Sequence, residues 1–130
     1  MSGREEIRVA GLAEPISHYT DAVLAGGLLF VSGMVAVDGA GSLVGGDDVV
    51  AQARQVFENL GAALSAGGCT FADVVKVIVF LTDVDERPLV NAVRQEAFGA
   101  SRPASTLVEV PRLAVPGARI EVECVAQVPS

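Results

Sequence analysis

Apolar and polar residues in the first part of the chain follow the two-residue period of β-strands. Residues 5–10 alternate weakly, which favours an edge strand. Two apolar runs, at 22–25 and 28–32, are separated by Gly26 and Gly27. Two such runs around a glycine pair predict a β-hairpin.

A single glycine interrupts the second strand of this hairpin. Gly33 follows the run at 28–32, and apolar residues resume at 34–37. An isolated glycine in a strand indicates a bulge or a close approach of another group to the backbone. The next stretch, 38–46, contains four glycines without the spacing of a phosphate-binding motif, so we expect a loop there.

After this loop the apolar period changes to three or four residues, which predicts a long amphipathic helix. Asp47 or Asp48 suits the position of its N-terminal cap, and Gly67 with Gly68 ends it. The apolar stripe consists of Val50, Ala53, Phe57, Leu60 and Leu64.

A buried strand and a second helix follow. Residues 74–82 form a nearly continuous β-branched run, which is typical of a central strand. We expect Asp85 to cap the next helix, with Pro88 in its first turn and Gly99 at its end. The predicted buried face of this helix consists of Val90, Val93 and Ala97.

Two closing strands, about 105–110 and 118–127, complete the order β-β-β-α-β-α-β-β. Both helices are apolar on one side only. The chain therefore predicts one α+β domain, residues 1–130, with two helices on one face of an about six-stranded mixed sheet. The opposite face is also largely apolar, and we expect copies of the chain to cover it.

Composition and charge argue against several classes of function. Hydrophobic residues make up 51% and charged residues 19% of the chain, as in globular proteins. The net charge is −7 and the basic residues are scattered, which argues against nucleic acid as a partner. No apolar run is long enough to cross a membrane, and residues 1–6 lack the features of a secretory signal. We therefore expect a cytoplasmic protein without a membrane partner.

The sequence offers no set of residues for a metal site. Cys69 and Cys124 have neither a CxxC nor a zinc-ligand spacing, and we interpret them as reduced packing residues. His18 is the only histidine, and one histidine cannot build a metal site.

Two carboxylates on the last strand are candidates for chemistry. Glu121 and Glu123 share one face of this strand, and the apolar residues between them share the other. A carboxylate in a cleft can orient or deprotonate a water molecule. The same spacing also fits a solvated or salt-bridged polar face, and spacing alone leaves both interpretations open.

Short segments along nearly the whole chain also match a known family in register. They are Tyr19, Val31-Ser32-Gly33, the stretch 51–59, Val74-Val75-Lys76-Val77, Val79-Phe80-Leu81, Val90-Asn91-Ala92, Pro103-Ala104, Val108-Glu109-Val110, Arg112-Leu113 and Ile120-Glu121-Val122-Glu123. Through them the chain resembles the RidA/YjgF family of reactive intermediate deaminases. The resemblance implies a chorismate-mutase-like fold and a homotrimer with clefts between subunits. It also implies hydrolysis of 2-enamino or 2-imino acids to 2-oxo acids and ammonia, without a metal or cofactor.

The family site uses a tyrosine, the backbone at a Ser-Gly strand break, an arginine and a glutamate. By motif, the resemblance places the catalytic groups at Tyr19 and Glu121 and a substrate contact at Gly33. The arginine position, which follows a Pro-Ala pair, is Ser105 in this chain. A guanidinium holds a carboxylate with two charge-assisted hydrogen bonds, whereas serine offers one neutral donor. We therefore expect a substrate other than the standard 2-imino acids.

Two other arginines are candidates for the missing cation. Arg102 lies three residues before Ser105, so in extended backbone it points to the opposite face unless the chain turns at Pro103. Arg119 shares a strand face with Glu121, although the favoured interpretation is that it pairs with Glu121 or Glu123. His18 and Thr106, which adjoin Tyr19 and Ser105, complete the predicted ligand contacts.

Two functions remain open from the sequence. The first is an enzyme that hydrolyses an enamine, an imine or a related reactive carbonyl metabolite in intersubunit clefts. The second is a non-catalytic trimer that binds a small metabolite in the same clefts. Ribonuclease activity, claimed for some relatives, is less favoured because the chain is acidic and has no basic patch.

Overall fold

The computed structural model describes residues 3–130, and its secondary structure follows the predicted order of strands and helices. The strands are β1 (Arg4–Ile7), β2 (Ala22–Ala25), β3 (Leu28–Met34), β4 (Val74–Leu81), β5 (Ala104–Glu109) and β6 (Ile120–Gln127). The helices are α1 (Val49–Ala66) and α2 (Arg87–Phe98). The predicted α+β class, with six strands and two helices, is confirmed.

The six strands form one mixed sheet in the order β1-β2-β3-β6-β4-β5. Strands β4 and β5 are parallel, and every other neighbouring pair is antiparallel. The last strand therefore lies in the middle of the sheet, between β3 and β4. The second strand of the hairpin is shorter than predicted. The apolar run at 34–37 leaves the sheet after Met34, and Val37 makes only an isolated bridge with Leu43.

Helix α1 begins and ends as its sequence indicates. The Asp48 carboxylate accepts hydrogen bonds from the N–H groups of Val50 and Ala51, at 2.9 and 3.3 Å. The cap thus satisfies donors that have no partner within the helix. At the other end, a Cβ on Gly67 would lie 2.4 Å from a methyl carbon of Leu29. Glycine is needed there because α1 ends in direct contact with β3.

The start of α2 differs from the prediction by one short turn. Residues Val84–Glu86 form a 3-10 turn, and α2 begins only at Arg87. The carboxylate that accepts a backbone hydrogen bond is that of Asp83, which binds the N–H of Asp85 at 3.0 Å. Asp85 is therefore not the cap of α2. Pro88 lies in the first turn of the helix as expected, because no helical hydrogen bond is lost there.

The two faces of the sheet have different surroundings. Side chains that point towards α1 and α2 are buried, including Val77, Leu81, Ile120 and Val122, each 0% exposed. We call this side the helix face. No element of the described residues covers the other side, the open face, where Phe30 is 44% exposed.

Two buried amides of α1 hold the loops that border the open face. Gln52 Nε2 donates to the carbonyl oxygens of Gly46 and Gly117, at 2.6 and 3.0 Å. Its Oε1 accepts from the N–H of Arg119 at 2.8 Å, immediately before β6. Asn59 Nδ2 donates to two carbonyl oxygens just after β3, those of residues 35 and 37, at 3.1 and 2.9 Å. These amides fix the backbone at both ends of the site described below.

Cys69 and Cys124 are buried and form no disulfide, which confirms their interpretation as packing residues. Burial raises the pKa of both thiols, that of Cys124 to about 12. No helix among residues 3–130 is long and apolar enough to span a membrane.

We predict that Gln52→Ala lowers the free energy of unfolding by about 3 kcal/mol, because three hydrogen bonds are lost inside the core. Urea unfolding followed by circular dichroism measures the change. Glu58→Ala, at an exposed position of the same helix, is the control and should cost less than about 0.5 kcal/mol. Equal losses in the two variants would contradict the structural role given to Gln52.

Candidate functional site

Tyr19 lies in an irregular segment that hydrogen bonds fix to β3. The Ser32 hydroxyl donates to the carbonyl oxygen of Thr20 at 2.6 Å, and the Ser32 N–H donates to that of Asp21 at 2.9 Å. The Asp21 carboxylate is buried, accepts from the Val9 N–H at 2.8 Å and pairs with the guanidinium of Arg8. The Tyr19 side chain itself is 48% exposed. Its backbone is therefore anchored while its ring faces a solvent-accessible cavity.

Gly33 and Glu121 lie in direct contact. The register of β3 against β6 shifts between Val31 and Met34, as a bulge requires. A Cβ built on Gly33 would lie 2.6 Å from Glu121 Oε2 and 2.8 Å from its Cδ. The φ angle of Gly33 is not positive, so space rather than backbone strain explains the glycine. The close approach predicted from the isolated glycine is confirmed.

Tyr19, Gly33 and Glu121 line one cavity of about 400 Å³ on the open face. The other lining residues are Ile16, Ser17, Ser32, Val35, Ala114, Val115 and Glu123. Apolar side chains thus surround a small group of polar atoms, as in many small-molecule sites. Three of the predicted site residues are brought together here.

The carboxyl of Glu121 is half-buried in this cavity. Burial raises its pKa, and the negative charge of Glu123 raises it further. A carboxyl with a raised pKa exchanges protons closer to neutral pH than an ordinary glutamate. Such a group is suited to general acid–base catalysis.

Ser105 lies on the opposite face of the sheet from this cavity. In the register of β4 and β5 it pairs with Val77, which is fully buried towards the helices. Glu121 pairs with Phe80, which alternates with the buried Val79 and Leu81. Within one chain, Ser105 and Glu121 therefore cannot contact the same ligand.

The side chain next to Ser105 is Arg94 of α2. Arg94 Nη2 donates to Ser105 Oγ at 2.8 Å. Sequence reasoning did not include Arg94 among the site residues. A signal was available, because Arg94 follows Val90 by four residues and precedes Ala97 by three, which puts a charge on the apolar stripe of α2.

The structure separates the remaining predicted ligand contacts. The Oγ1 of Thr106 accepts a hydrogen bond from Lys76 Nζ at 2.9 Å, and Thr106 is on the open face but does not line the Tyr19 cavity. His18 is exposed and also lies outside the lining of that cavity. Arg102 precedes β5 and lines a cavity with Arg94, so it lies near Ser105 although it is not on the strand.

Arg119 is engaged elsewhere. Its Nη2 lies 3.2 Å from Glu86 Oε1, and its Nε donates to the same oxygen at 3.3 Å. Arg119 was expected to pair with Glu121 or Glu123. This prediction is wrong, because the turn before α2 brings Glu86 next to Arg119 instead. An arginine already paired in this way is a poor candidate for binding a substrate carboxylate.

Metal ligands are not assembled in the described part of the chain. Among residues 3–130, no three His, Cys, Asp or Glu side chains are grouped so that they could hold a metal ion. The chemistry that this arrangement can perform is proton transfer to and from a small ligand, by Glu121 in the cavity that Tyr19 also lines.

Comparison with known proteins gives consistent results. The family model described as endoribonuclease L-PSP matches residues 11–128. A RutC family protein of Pyrococcus horikoshii is 40% identical over 124 residues, which cover 95% of this chain and 97% of that protein. The human protein named 2-iminobutanoate/2-iminopropanoate deaminase is 36% identical and is covered to 89%, against 95% of this chain. The crystal structure of RidA from an Antarctic Psychrobacter has a TM-score of 0.89 at 31% identity, with 95% of this chain and 99% of that chain covered.

We predict that Glu121→Gln stabilises the protein increasingly as the pH rises. A raised pKa means that the folded state holds the Glu121 proton more tightly than the unfolded chain. That stabilisation is complete below the ordinary carboxyl pKa and is lost as the pH rises through the raised value. Glutamine stays neutral throughout, so the difference in melting temperature between variant and wild type should grow between about pH 4 and pH 8.

Thermal unfolding at a fixed protein concentration measures this difference. Glu58→Gln, at an exposed position of α1, is the matched control and should show little change with pH. A melting-temperature difference for Glu121→Gln that is constant across this pH range would contradict the raised pKa.

Proposed function

The chain belongs to the RidA/YjgF family, and from this premise we propose that it hydrolyses the carbon–nitrogen double bond of a small imine, or of the enamine that tautomerises to it. The observation that carries this proposal is the Glu121 carboxyl, which has a raised pKa and lies against the backbone of Gly33 in the same cavity as Tyr19. A relative of similar length is named 2-iminobutanoate/2-iminopropanoate deaminase, which agrees with this class of reaction.

In the first step of the proposed reaction, Glu121 removes a proton from water while the water oxygen bonds to the imine carbon. The π electrons of the C=N bond move to nitrogen, which takes up a proton from solvent. In the second step the C–N bond breaks as the hydroxyl of the tetrahedral intermediate releases its proton to solvent and becomes a carbonyl. Glu121 returns its proton to the leaving nitrogen. The balance is imine plus water to carbonyl compound plus ammonia.

Each group of the cavity has a role in this scheme. The raised pKa suits Glu121 to accept a proton in the first step and to donate it in the second. The Tyr19 hydroxyl both donates and accepts hydrogen bonds, and can hold the water or the nitrogen. The backbone of Gly33 is exposed next to the Glu121 carboxyl, so a ligand that contacts Glu121 can also reach its polar groups.

We further propose that the working unit is a homotrimer with its sites between subunits. Two features support this. The open face carries exposed apolar side chains such as Phe30 and Val108, 44% and 38% exposed, which a second copy would cover. In addition, Ser105 and Glu121 lie on opposite faces, so a contact between unlike surfaces of two copies is needed to bring them together. Contacts of this kind generate a closed ring when the rotation from one copy to the next closes.

Ribonuclease activity, which the description of the family model suggests, has less support. The chain has a net charge of −7, and two carboxylates line the Tyr19 cavity. The negatively charged sugar-phosphate backbone of RNA would be repelled from a site of this charge.

We predict that Glu121→Ala lowers kcat/KM for imine hydrolysis by about 100- to 10,000-fold, because the proton acceptor and donor is lost. Freshly generated 2-iminobutanoate and a set of uncarboxylated imines serve as substrates, and ammonia release is the measurement. Tyr19→Phe should have a smaller effect, and Glu58→Ala none.

The same assay separates enzyme from binding protein. If the wild-type protein releases ammonia from every substrate no faster than buffer does, the enzymatic proposal fails. Binding of the hydrolysis products by the wild type would then favour the alternative, a trimer that binds a small metabolite without turning it over.

We predict a particle of three times the mass of the chain in multi-angle light scattering. Because the two halves of the proposed site lie on different copies, a monomer at assay concentrations would rule out the shared cleft. Dilution to the lowest concentration at which activity is seen provides the control, since assembly and activity should be lost together.

A further inference from the structure

We propose that Arg94 of α2 binds the carboxylate of the substrate, in place of a guanidinium on β5. This inference rests on the proposed function, because it names the residue that would hold a substrate carboxylate in the reaction proposed above. It assigns to a helix residue the binding group that the sequence of β5 lacks.

The hydrogen bond to Ser105 fixes one end of the Arg94 guanidinium. Nη2 donates to Ser105 Oγ at 2.8 Å, which uses one of five N–H donors. The remaining donors are in a planar fork, and such a fork matches the two oxygens of a carboxylate. Serine is small enough to leave this space free above β5.

Arg94 has no acidic partner among residues 3–130 within the distance of a salt bridge. Arg54 and Arg119, by contrast, pair with Glu96 and Glu86 at 3.7 and 3.2 Å. The charge of Arg94 is therefore available to an anion from outside the chain.

The side chain is also half-buried, and burial lowers the pKa of the guanidinium. Removing a charge from water costs free energy that a bound anion would recover. An exposed surface arginine carries no such cost and gains little from an ion pair. The position of Arg94 therefore favours a bound carboxylate more than an ordinary surface position does.

Two cavities of about 510 and 440 Å³ adjoin Arg94, and Asn91 lines both. Arg102 lines the first and Arg87 the second. Neither of these arginines pairs with an acid of the described chain within salt-bridge distance. The region beside Ser105 is thus locally positive on an acidic protein, and it is roomy enough for a small organic anion.

This anion site complements the acid–base site on the open face. The cavity of Tyr19, Gly33 and Glu121 contains two carboxylates and no cation in its lining. It would repel a carboxylate unless a cation came from elsewhere. In the proposed trimer, the sheet edge near Arg94 of one copy meets the open face of the next copy. One subunit then supplies the cation that binds the carboxylate, and the other supplies the acid–base group Glu121.

Isothermal titration with 2-oxobutanoate, and with butanone as the analogue without a carboxylate, tests the binding role. We expect Arg94→Gln to weaken 2-oxobutanoate binding about tenfold to hundredfold and to leave butanone unaffected. Arg94→Lys, which keeps the charge and loses the fork, should fall between the two. Arg54→Gln, at a surface position of α1, is the matched control and should bind like wild type.

A double variant that moves the guanidinium to another position separates the binding role of Arg94 from effects on folding or assembly. Combining Arg94→Ser with Ser105→Arg moves the guanidinium from helix to strand, and should restore affinity to within about threefold of wild type. Light scattering on every variant checks that the oligomer is unchanged. Wild-type affinity in Arg94→Gln with intact assembly, or no 2-oxobutanoate binding by the wild type, would overturn the proposal.

Kinetics distinguish a failure of this inference from a failure of the proposed function. Arg94→Gln should raise KM for 2-iminobutanoate about tenfold or more, with a smaller change in kcat and no change for an uncarboxylated imine. Hydrolysis that is independent of Arg94 would leave the proposed function standing and remove Arg94 from it. If no imine is hydrolysed at all, the titrations still decide whether Arg94 binds a carboxylate.

Discussion

The alternation of side chains along the β-strands constrains every feature of this molecule that bears on its chemistry. Along β6, Ile120 and Val122 point into the core and Glu121 and Glu123 point to the open face. Along β5, the same rule sends Ser105 towards the helices. A one-residue shift of β6 would bury a carboxylate, which is far more costly than any gain at the site. The packing of the core therefore fixes Glu121 and Ser105 on opposite faces of the sheet.

The missing Cβ of Gly33 connects the core to the cavity. Because the bulge at Gly33 opens the ladder between β3 and β6, the Glu121 carboxyl can lie against the backbone instead of in solvent. This position explains why burial is the largest cause of its raised pKa and why the charge of Glu123 only adds to it. The buried amides of Gln52 and Asn59 keep the loops on both sides of this contact in place. The acid–base property of Glu121 thus depends on packing several residues away.

Most of the fold could be predicted from the sequence because its signals are local. The caps of α1, the hairpin at Gly26 and Gly27, and the bulge at Gly33 each follow from residues that are close in the chain. The partner of Arg119 could not be predicted, since Glu86 reaches it only through tertiary packing of the turn before α2. The start of α2 was misplaced because a 3-10 turn precedes the helix: Asp83 caps that turn, and the N-cap position of α2 is Glu86, whose side chain makes no capping hydrogen bond.

The candidate site was predicted in part. Arg94 was missed because a motif describes positions along the sequence, whereas a ligand is bound by side chains that are close together in the folded protein. A motif assigns chemistry to a position along the chain, so Ser105 indicates the loss of a cation. A ligand meets a point in space, which side chains from different backbone positions can reach. The hydrogen bond from Arg94 to Ser105 shows that a guanidinium still occupies the volume beside this part of β5, although it comes from α2. Substitution of a binding residue on a strand therefore removes the chemistry only if no neighbouring element supplies it.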